Sequence, residues 1–141
     1  MMSQYKIVPG TWQELKPYAE VIRRAVFIEG QNIAESDEWD DLDNISLHFI
    51  VFEANKAIAT ARLLQNDSVG RVAVLEEFRG LGVGKLLMLE IIVQAKQQQR
   101  TKLQLSAQQH AISFYENLGF KAEGDFYLDC GIPHINMTLL F

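Results

Sequence analysis

The stretch EEFRGLGVGKLL, residues 76–87, sets Gly80, Gly82 and Gly84 at alternate positions, with Arg79 before them and Lys85 after. Glycine at that density strips side chains from a short length of backbone, as a close approach by some other body requires. That body can be a phosphate, a coenzyme or a neighbouring strand. An apolar run that reads as a strand precedes the stretch, and one that reads as a helix follows it. Successive backbone N–H groups at such a junction form a nest for an anion, and the helix dipole adds to it. With two basic side chains beside it, the turn suits a pyrophosphate.

Two nucleotide-binding patterns come close and fail. A P-loop needs Gly-x-x-x-x-Gly-Lys-Ser/Thr. Gly84 and Lys85 fit its end, but Arg79 fills the first glycine position and Leu86 replaces the hydroxyl that would hold magnesium. A dinucleotide fingerprint needs Gly-x-Gly-x-x-Gly, and Lys85 stands at its third glycine. A tight turn without a ligand is the remaining alternative, and the strand-to-helix context counts against it.

The elements that position this turn are legible in outline. YKIV (5–8) reads as a strand, and TWQE (11–14) has the form of a capping box. Pro17 could mark the first turn of the main helix, which is expected over about 17–28. ESDEWDDLD (35–43) carries six carboxylates and reads as a loop that Trp39 and Leu42 pack onto the body. HFIVFEA (48–54) and AIATARLLQ (57–65) form a hairpin about Asn55, and SVGRVAVL (68–75) is the strand before the glycines. GVGKLLMLEIIVQAKQQQR (82–100) is a long helix, apolar on most sides of its first three turns and so expected to be well buried. TKLQLSA (101–107) is a strand, HAISFYENLGF (110–120) a helix stopped by Gly119, and GDFYLD and HINMTLLF are the closing strands. This order gives an α/β domain with a mixed sheet, read as one domain over 1–141 because no repeat or linker interrupts it.

Bulk properties narrow the function. A formal net charge of -5 argues against general affinity for nucleic acid. One cysteine, Cys130, cannot form an internal disulfide and excludes a cysteine-rich zinc site. No apolar run approaches the roughly 18 residues of a spanning helix, and the opening MMSQYKIVPG lacks a signal-peptide layout. A soluble cytoplasmic protein with no membrane or nucleic-acid partner is the expectation.

At RVAVLEEFRGLGVGKLL the chain resembles the GNAT superfamily of N-acetyltransferases, whose acetyl-coenzyme A motif is a strand followed by Arg/Gln-x-x-Gly-x-Gly/Ala. Arg79, Gly82 and Gly84 stand at the motif positions. AISFYENLGF is similar to the family's second element, in the family's order and spacing. RRAVFIEGQ (23–31), HFIVFEANKAIATARL and GIPHINM resemble a small single-domain bacterial subset. Two positions depart: Gln108 stands where many members have asparagine, and Gly30 where a second acidic residue would follow Glu29.

The resemblance implies a mostly antiparallel central sheet flanked by helices, with two strands splayed at the acetyl-CoA site. It implies an acyl-CoA-dependent N-acyltransferase, without a metal, that moves acetyl to a primary amine by direct attack in a ternary complex. Val72, Ala73 and Val74 would pair with the pantetheine arm by β-augmentation, and an N–H near Val74 would polarise the thioester. Backbone N–H groups from Arg79 through Gly80, Leu81, Gly82, Val83 and Gly84 to Lys85 would hold the pyrophosphate, and Gln108 is a further coenzyme contact. Tyr115 would be the general acid to the leaving thiolate as well as a coenzyme neighbour. Glu29 and His134 are preferred over Glu76 and His110 as general base. Cys130 would permit an acetyl-cysteine route, although it reads as a small buried hydrophobe and the family mostly uses direct attack. The acidic loop could attract a cationic amine, and Arg23 and Arg24 could instead bind a substrate carboxylate or phosphate. Homodimers are common in the family. A catalytically inactive module that senses acyl-CoA is the alternative to an enzyme.

Overall fold

A computed structural model describes residues 4–141, so Met1–Ser3, the start of the segment read for a leader, lie outside the described residues. Seven strands form one sheet in the order β1-β2-β3-β4-β5-β7-β6. They are β1 (Tyr5–Gly10), β2 (Leu47–Glu53), β3 (Lys56–Leu63), β4 (Ser68–Val74), β5 (Lys102–Gln108), β6 (Lys121–Asp129) and β7 (Ile132–Leu140). Every neighbouring pair is antiparallel except β4 and β5. The sheet is therefore mixed and mostly antiparallel, as the resemblance implied.

Helix α1 runs Trp12–Arg23, five residues earlier than Pro17 suggested. The capping box wins: Thr11 Oγ1 accepts from Glu14 N, while Glu14 Oε1 accepts from Thr11 N. Pro17 falls inside the helix and removes only the N–H that would bond Gln13 O. The chain continues without a break as a π-helical segment, Arg24–Glu29, ending at Gly30. A Cβ on Gly30 would stand 2.5 Å from Val26 O, so the acidic residue expected there does not fit this turn. A four-residue helix α2 (Glu35–Glu38) and a 3-10 turn (Asp41–Ile45) follow.

On the other face lie α3 (Val83–Gln97) and α4 (Ile112–Asn117). Val83, Leu87, Met88, Ile91 and Ala95 of α3 pack with Phe49, Ile58, Leu103, Leu105 and Met137 of the sheet. Leu89 and Val93 are exposed, so α3 is buried along one face and not all round. Leu15 and Ala19 of α1 meet Ile50, and Ile22, Val26 and Phe27 meet Ala73. Helical cover on this second face thus reaches β4 but leaves β5, β7 and β6 open. β6 is exposed along its whole length, and the irregular pairing between Glu123 and Tyr127 blunts the edge it presents.

Candidate functional site

β4 and β5 are parallel but pair only at Ser68↔Gln104 and Val69↔Leu105. Beyond that point β4 stays with β3 and β5 stays with β7, so a wedge opens between them. The cause is a bulge. Arg62↔Gly70 and Thr60↔Ala73 leave one extra residue on β4. Arg71 occupies the bulge with φ 52°, in the left-handed region that costs a non-glycine residue about 1–2 kcal/mol. Its side chain is anchored, with Nη2 donating to Glu38 O at 2.9 Å and Nε 3.1 Å from Glu38 Oε2. Anchoring the side chain offsets the backbone strain.

After the bulge, Leu75 N donates to Ile58 O, so residues 73 and 75 turn their polar groups toward β3. Alternation along an antiparallel ladder then turns those of Val74 into the wedge. Arg79 Nε fits that geometry by donating to Val74 O at 3.0 Å, leaving the Val74 N–H facing the opening. Ala73 lies opposite Thr60 and buries its methyl under α1, so of the three residues expected to pair with a ligand arm it is the one bonded inward.

The glycine turn caps the wide end. Gly80 and Gly82 have φ of 77° and 83°, and a Cβ at either would meet nothing within 4 Å. Conformation, not crowding, calls for glycine there. Gly84 has a different reason: a Cβ would lie 3.4 Å from Phe114 Cζ and 3.8 Å from Val74 Cγ2. Leu86 is the first α3 residue whose N–H returns to the helix, to Gly82 O, so those of Val83, Gly84 and Lys85 have no helical partner. No side chain caps this end. Arg79 N–H is taken by Glu76 O, so the run of N–H groups open to an anion starts at Gly80 rather than Arg79.

Phe114 ties α4 to this turn, which fixes its neighbour Tyr115. The Tyr115 ring is buried edge-on against Phe114 and Phe120, and burial pushes its hydroxyl up to about 12. Gln108, at the end of β5, pairs both amide atoms with Gln31 across 3.0 and 3.2 Å. That reciprocal bridge spans the wedge on the α1 face, and the amide of Gln108 points to Gln31. His134 is the register partner of Gln108. Its Nδ1–H donates to Ile132 O at 2.7 Å, which leaves Nε2 as the basic nitrogen of the neutral ring. Glu29 is exposed at the end of the π segment, two residues from Gln31. Glu76 and His110 are exposed at the heads of the glycine turn and of α4.

Sequence expectations are corrected on the α1 face and at Cys130. Arg23 is no substrate arginine: it is 1% exposed, bonds Glu38 Oε2 and Asp43 Oδ1 at 2.8 Å each, and stacks on Trp12 and Trp39. Arg24 is exposed but paired with Glu35 at 2.6 Å. The acidic loop is no open attractor, because Glu38 and Asp43 are buried and Asp40 bonds Arg62. Trp39 packs as expected, whereas Leu42 is exposed. Cys130 is not buried; it lies exposed at the β6–β7 turn with φ 51°. Arg62, Arg71 and Gln31 went unnoticed in the sequence. Only Arg71 left a signal, a glycine just before it inside a strand, which marks a bulge. Among the described residues no group of three or more His, Cys, Asp or Glu could hold a metal ion, and no helix is long and apolar enough to cross a membrane.

The family model "Acetyltransferase (GNAT) domain" matches residues 25–141. "Uncharacterized N-acetyltransferase YjcF" of Bacillus subtilis (strain 168) is 34% identical over 136 residues, covering 93% of this chain and 96% of that one. The crystal structure of an acyl-CoA N-acyltransferase from Pseudomonas aeruginosa superposes with a TM-score of 0.86 at 28% identity, over 96% of this chain and 99% of the other. The fold alone is shared, at TM-score 0.71 and 17% identity over 99% of each chain, with a GNAT family acetyltransferase from Elizabethkingia anophelis solved with acetyl-CoA bound.

Proposed function

The chain belongs to the GNAT acetyltransferase family, and from that premise we propose that it carries acetyl from acetyl-CoA to a primary amine within one ternary complex. The observation that carries the reading is the wedge itself. An unpaired Val74 N–H faces it and a run of free N–H groups at the head of α3 caps its wide end, with the buried Tyr115 held next to Phe114, which packs at that turn.

The residues fit coenzyme A. N–H groups from Gly80 to Lys85 match a pyrophosphate in charge, and the glycines at 80, 82 and 84 thin the side chains around them. Val72 and Val74 offer strand backbone to an extended amide arm. Coenzyme A supplies the acetyl thioester, and the chain does the rest. The Val74 N–H is aimed to polarise a carbonyl oxygen in the wedge. Tyr115 keeps its proton at neutral pH because its anion is poorly solvated. A thiolate leaving into the same dry surroundings is raised as well, so the hydroxyl is matched to protonate it. His134 Nε2 is the better-prepared base of the two preferred candidates, since its tautomer is set by Ile132 O, while Glu29 stands in solvent. Both belong to the α1 face, from which the amine approaches. A single domain within the cytoplasm, with a homodimer as its larger form, completes the reading.

Free-thiol release across a mixed amine panel tests this. Release with at least one amine is expected, and Tyr115→Phe should cut kcat by 10²-fold or more while coenzyme binding changes little. Tight acetyl-CoA binding with no release from any amine would identify a sensing module instead. His134→Gln should lower kcat, and Glu29→Gln should not.

A further inference from the structure

The open half of the α1 face holds a polar cavity of about 440 Å³ at the narrow end of the wedge. Arg62, Gly70, Gln104, Ser106, Glu123 and Asn136 line it. Two independent observations mark it as a ligand site. The Arg62 side chain is 5% exposed, and its hydrogen bonds leave from Nη1 and Nη2, to Asp40 and Asp43. Its buried Nε–H has no hydrogen-bond partner among the described residues. Gly70 stands beside that atom. It is not among the glycines with positive φ, and an added Cβ would find only Arg62 Nε within 4 Å, at 3.9 Å. Neither a left-handed φ nor crowding calls for glycine there. The missing side chain leaves the space beside this buried, unpartnered N–H without a protein group to fill it.

We propose that this N–H anchors the acceptor through a neutral oxygen, so that the substrate is a long-chain amine bearing an amide or similar carbonyl. The inference rests on the acyltransferase reading above. Charge decides the class. Arg23, Arg62 and Arg71 are matched by Glu38, Asp40 and Asp43, so the guanidinium is already neutralised. Glu123 adds an uncompensated carboxylate to the lining. A free carboxylate would meet repulsion there, whereas a cationic amine gains attraction and a carbonyl oxygen fills the one unmet donor. Reach sets the length. Val74 lies four residues along β4 from Gly70, which at about 3.3 Å per residue and with a bulge between them is on the order of 10 Å. An extended amine with a terminal amide spans most of that gap; a short amine does not.

Lysinamide, lysine and 1,5-diaminopentane form the matched test, with thiol release as readout. Lysinamide should exceed both others at least tenfold in kcat/KM. Gly70→Val should fold with an unchanged melting temperature, fill the space at Arg62 Nε, and raise KM for lysinamide to that for diaminopentane. Equal use of the three amines, or an unchanged lysinamide KM in Gly70→Val, overturns the proposal. Should no amine release thiol, the acyltransferase reading fails, and calorimetry with lysinamide decides the cavity separately. Binding to the native chain but not to Gly70→Val supports the anchor, and binding to neither overturns it.

Discussion

On the glycine-turn side of the wedge the polar groups are backbone N–H groups of consecutive residues, Gly80 to Lys85, with no hydrogen-bond partner among the described residues. On the α1 side lies a network of mostly buried charged side chains from four separate stretches: Arg23, the loop with Glu38, Asp40 and Asp43, Arg62 on β3 and Arg71 on β4. The first side needs only a local run of small residues and a helix start. The second exists only once the whole sheet has formed, because each arginine finds its carboxylate through tertiary structure. The two sides are nonetheless coupled. Glu38 and Asp40 hold the side chain of Arg71, and Arg71 forms the bulge that lets β4 leave β5. A structural network on one side therefore sets the width of the wedge that serves both.

The largest effect should come from breaking that network. Arg23→Ala takes one of two arginines from both Glu38 and Asp43, whose side chains are each 3% exposed, leaving them only Arg71 and Arg62. Removing one partner from a buried ion pair costs about 3–5 kcal/mol, so the urea midpoint should fall far more than for any single change in the glycine turn. A loss below about 1 kcal/mol would mean that water reaches the network, and the contrast between a buried and an exposed side would not stand.

The two sides should also fail at opposite ends of the pH scale. The hydrogen bond from Arg62, outweighing partial burial, holds the Asp40 carboxyl down to about 2 from 3.8. A depressed carboxyl contributes stability above its ordinary pKa and loses it as pH falls through the folded value, here from about 4 to 2. Tyr115 is displaced the other way, by burial, from 10.0 to about 12. Its neutral form is the one the native state accepts, so that contribution is whole below pH 10 and disappears as pH rises toward 12. Urea midpoints measured across pH should show both limbs. Asp40→Asn should flatten the acid limb alone and Tyr115→Phe the alkaline limb alone; cross-talk between them would show that the coupling through Arg71 is stronger than the geometry implies.

Gly82→Ala probes the exposed side and should do less to stability. At φ 83° an alanine costs about 1–2 kcal/mol, with no clash to add. Coenzyme affinity should drop by about tenfold or more, since a methyl would stand among N–H groups that have to touch a ligand. Unaltered affinity, measured by calorimetry, would remove the turn from the binding site.

Legibility in the sequence follows the same division. The capping box at Thr11, the hairpin about Asn55, the glycine turn and the FYENLGF helix are local patterns, and each is found at or near its expected place. Pro17 misled because a cap with two hydrogen bonds outweighs one missing N–H inside a helix. Arg23 and the carboxylates of 35–43 looked like exposed charges because nothing in their own neighbourhood pairs them. Their partners are 15 and 20 residues away for Arg23, and 22 and 19 for Arg62. The bulge was readable only as a glycine inside a strand, and the residue that bears its strain is the next one.

Cys130 should give the smallest effect, and it tests whether the wedge is the whole of the chemistry. The thiol sits at the tip of the β6–β7 turn, where Cys130 and Gly131 both adopt positive φ, the backbone of a two-residue hairpin. Slight loss of hydration, with the Asp129 carboxylate beside it, pushes the thiol of this exposed cysteine up, away from the thiolate that a nucleophile needs. Direct attack by the amine asks nothing of it. Cys130→Ala should therefore leave kcat and KM within about twofold, and acetyl-CoA alone should leave no acetyl group on the protein by mass spectrometry. A tenfold loss of rate, or an acetylated Cys130, would put a covalent relay outside the wedge. Transfer would then not depend on the wedge opened by Arg71, and the network around Glu38 would be needed for folding only.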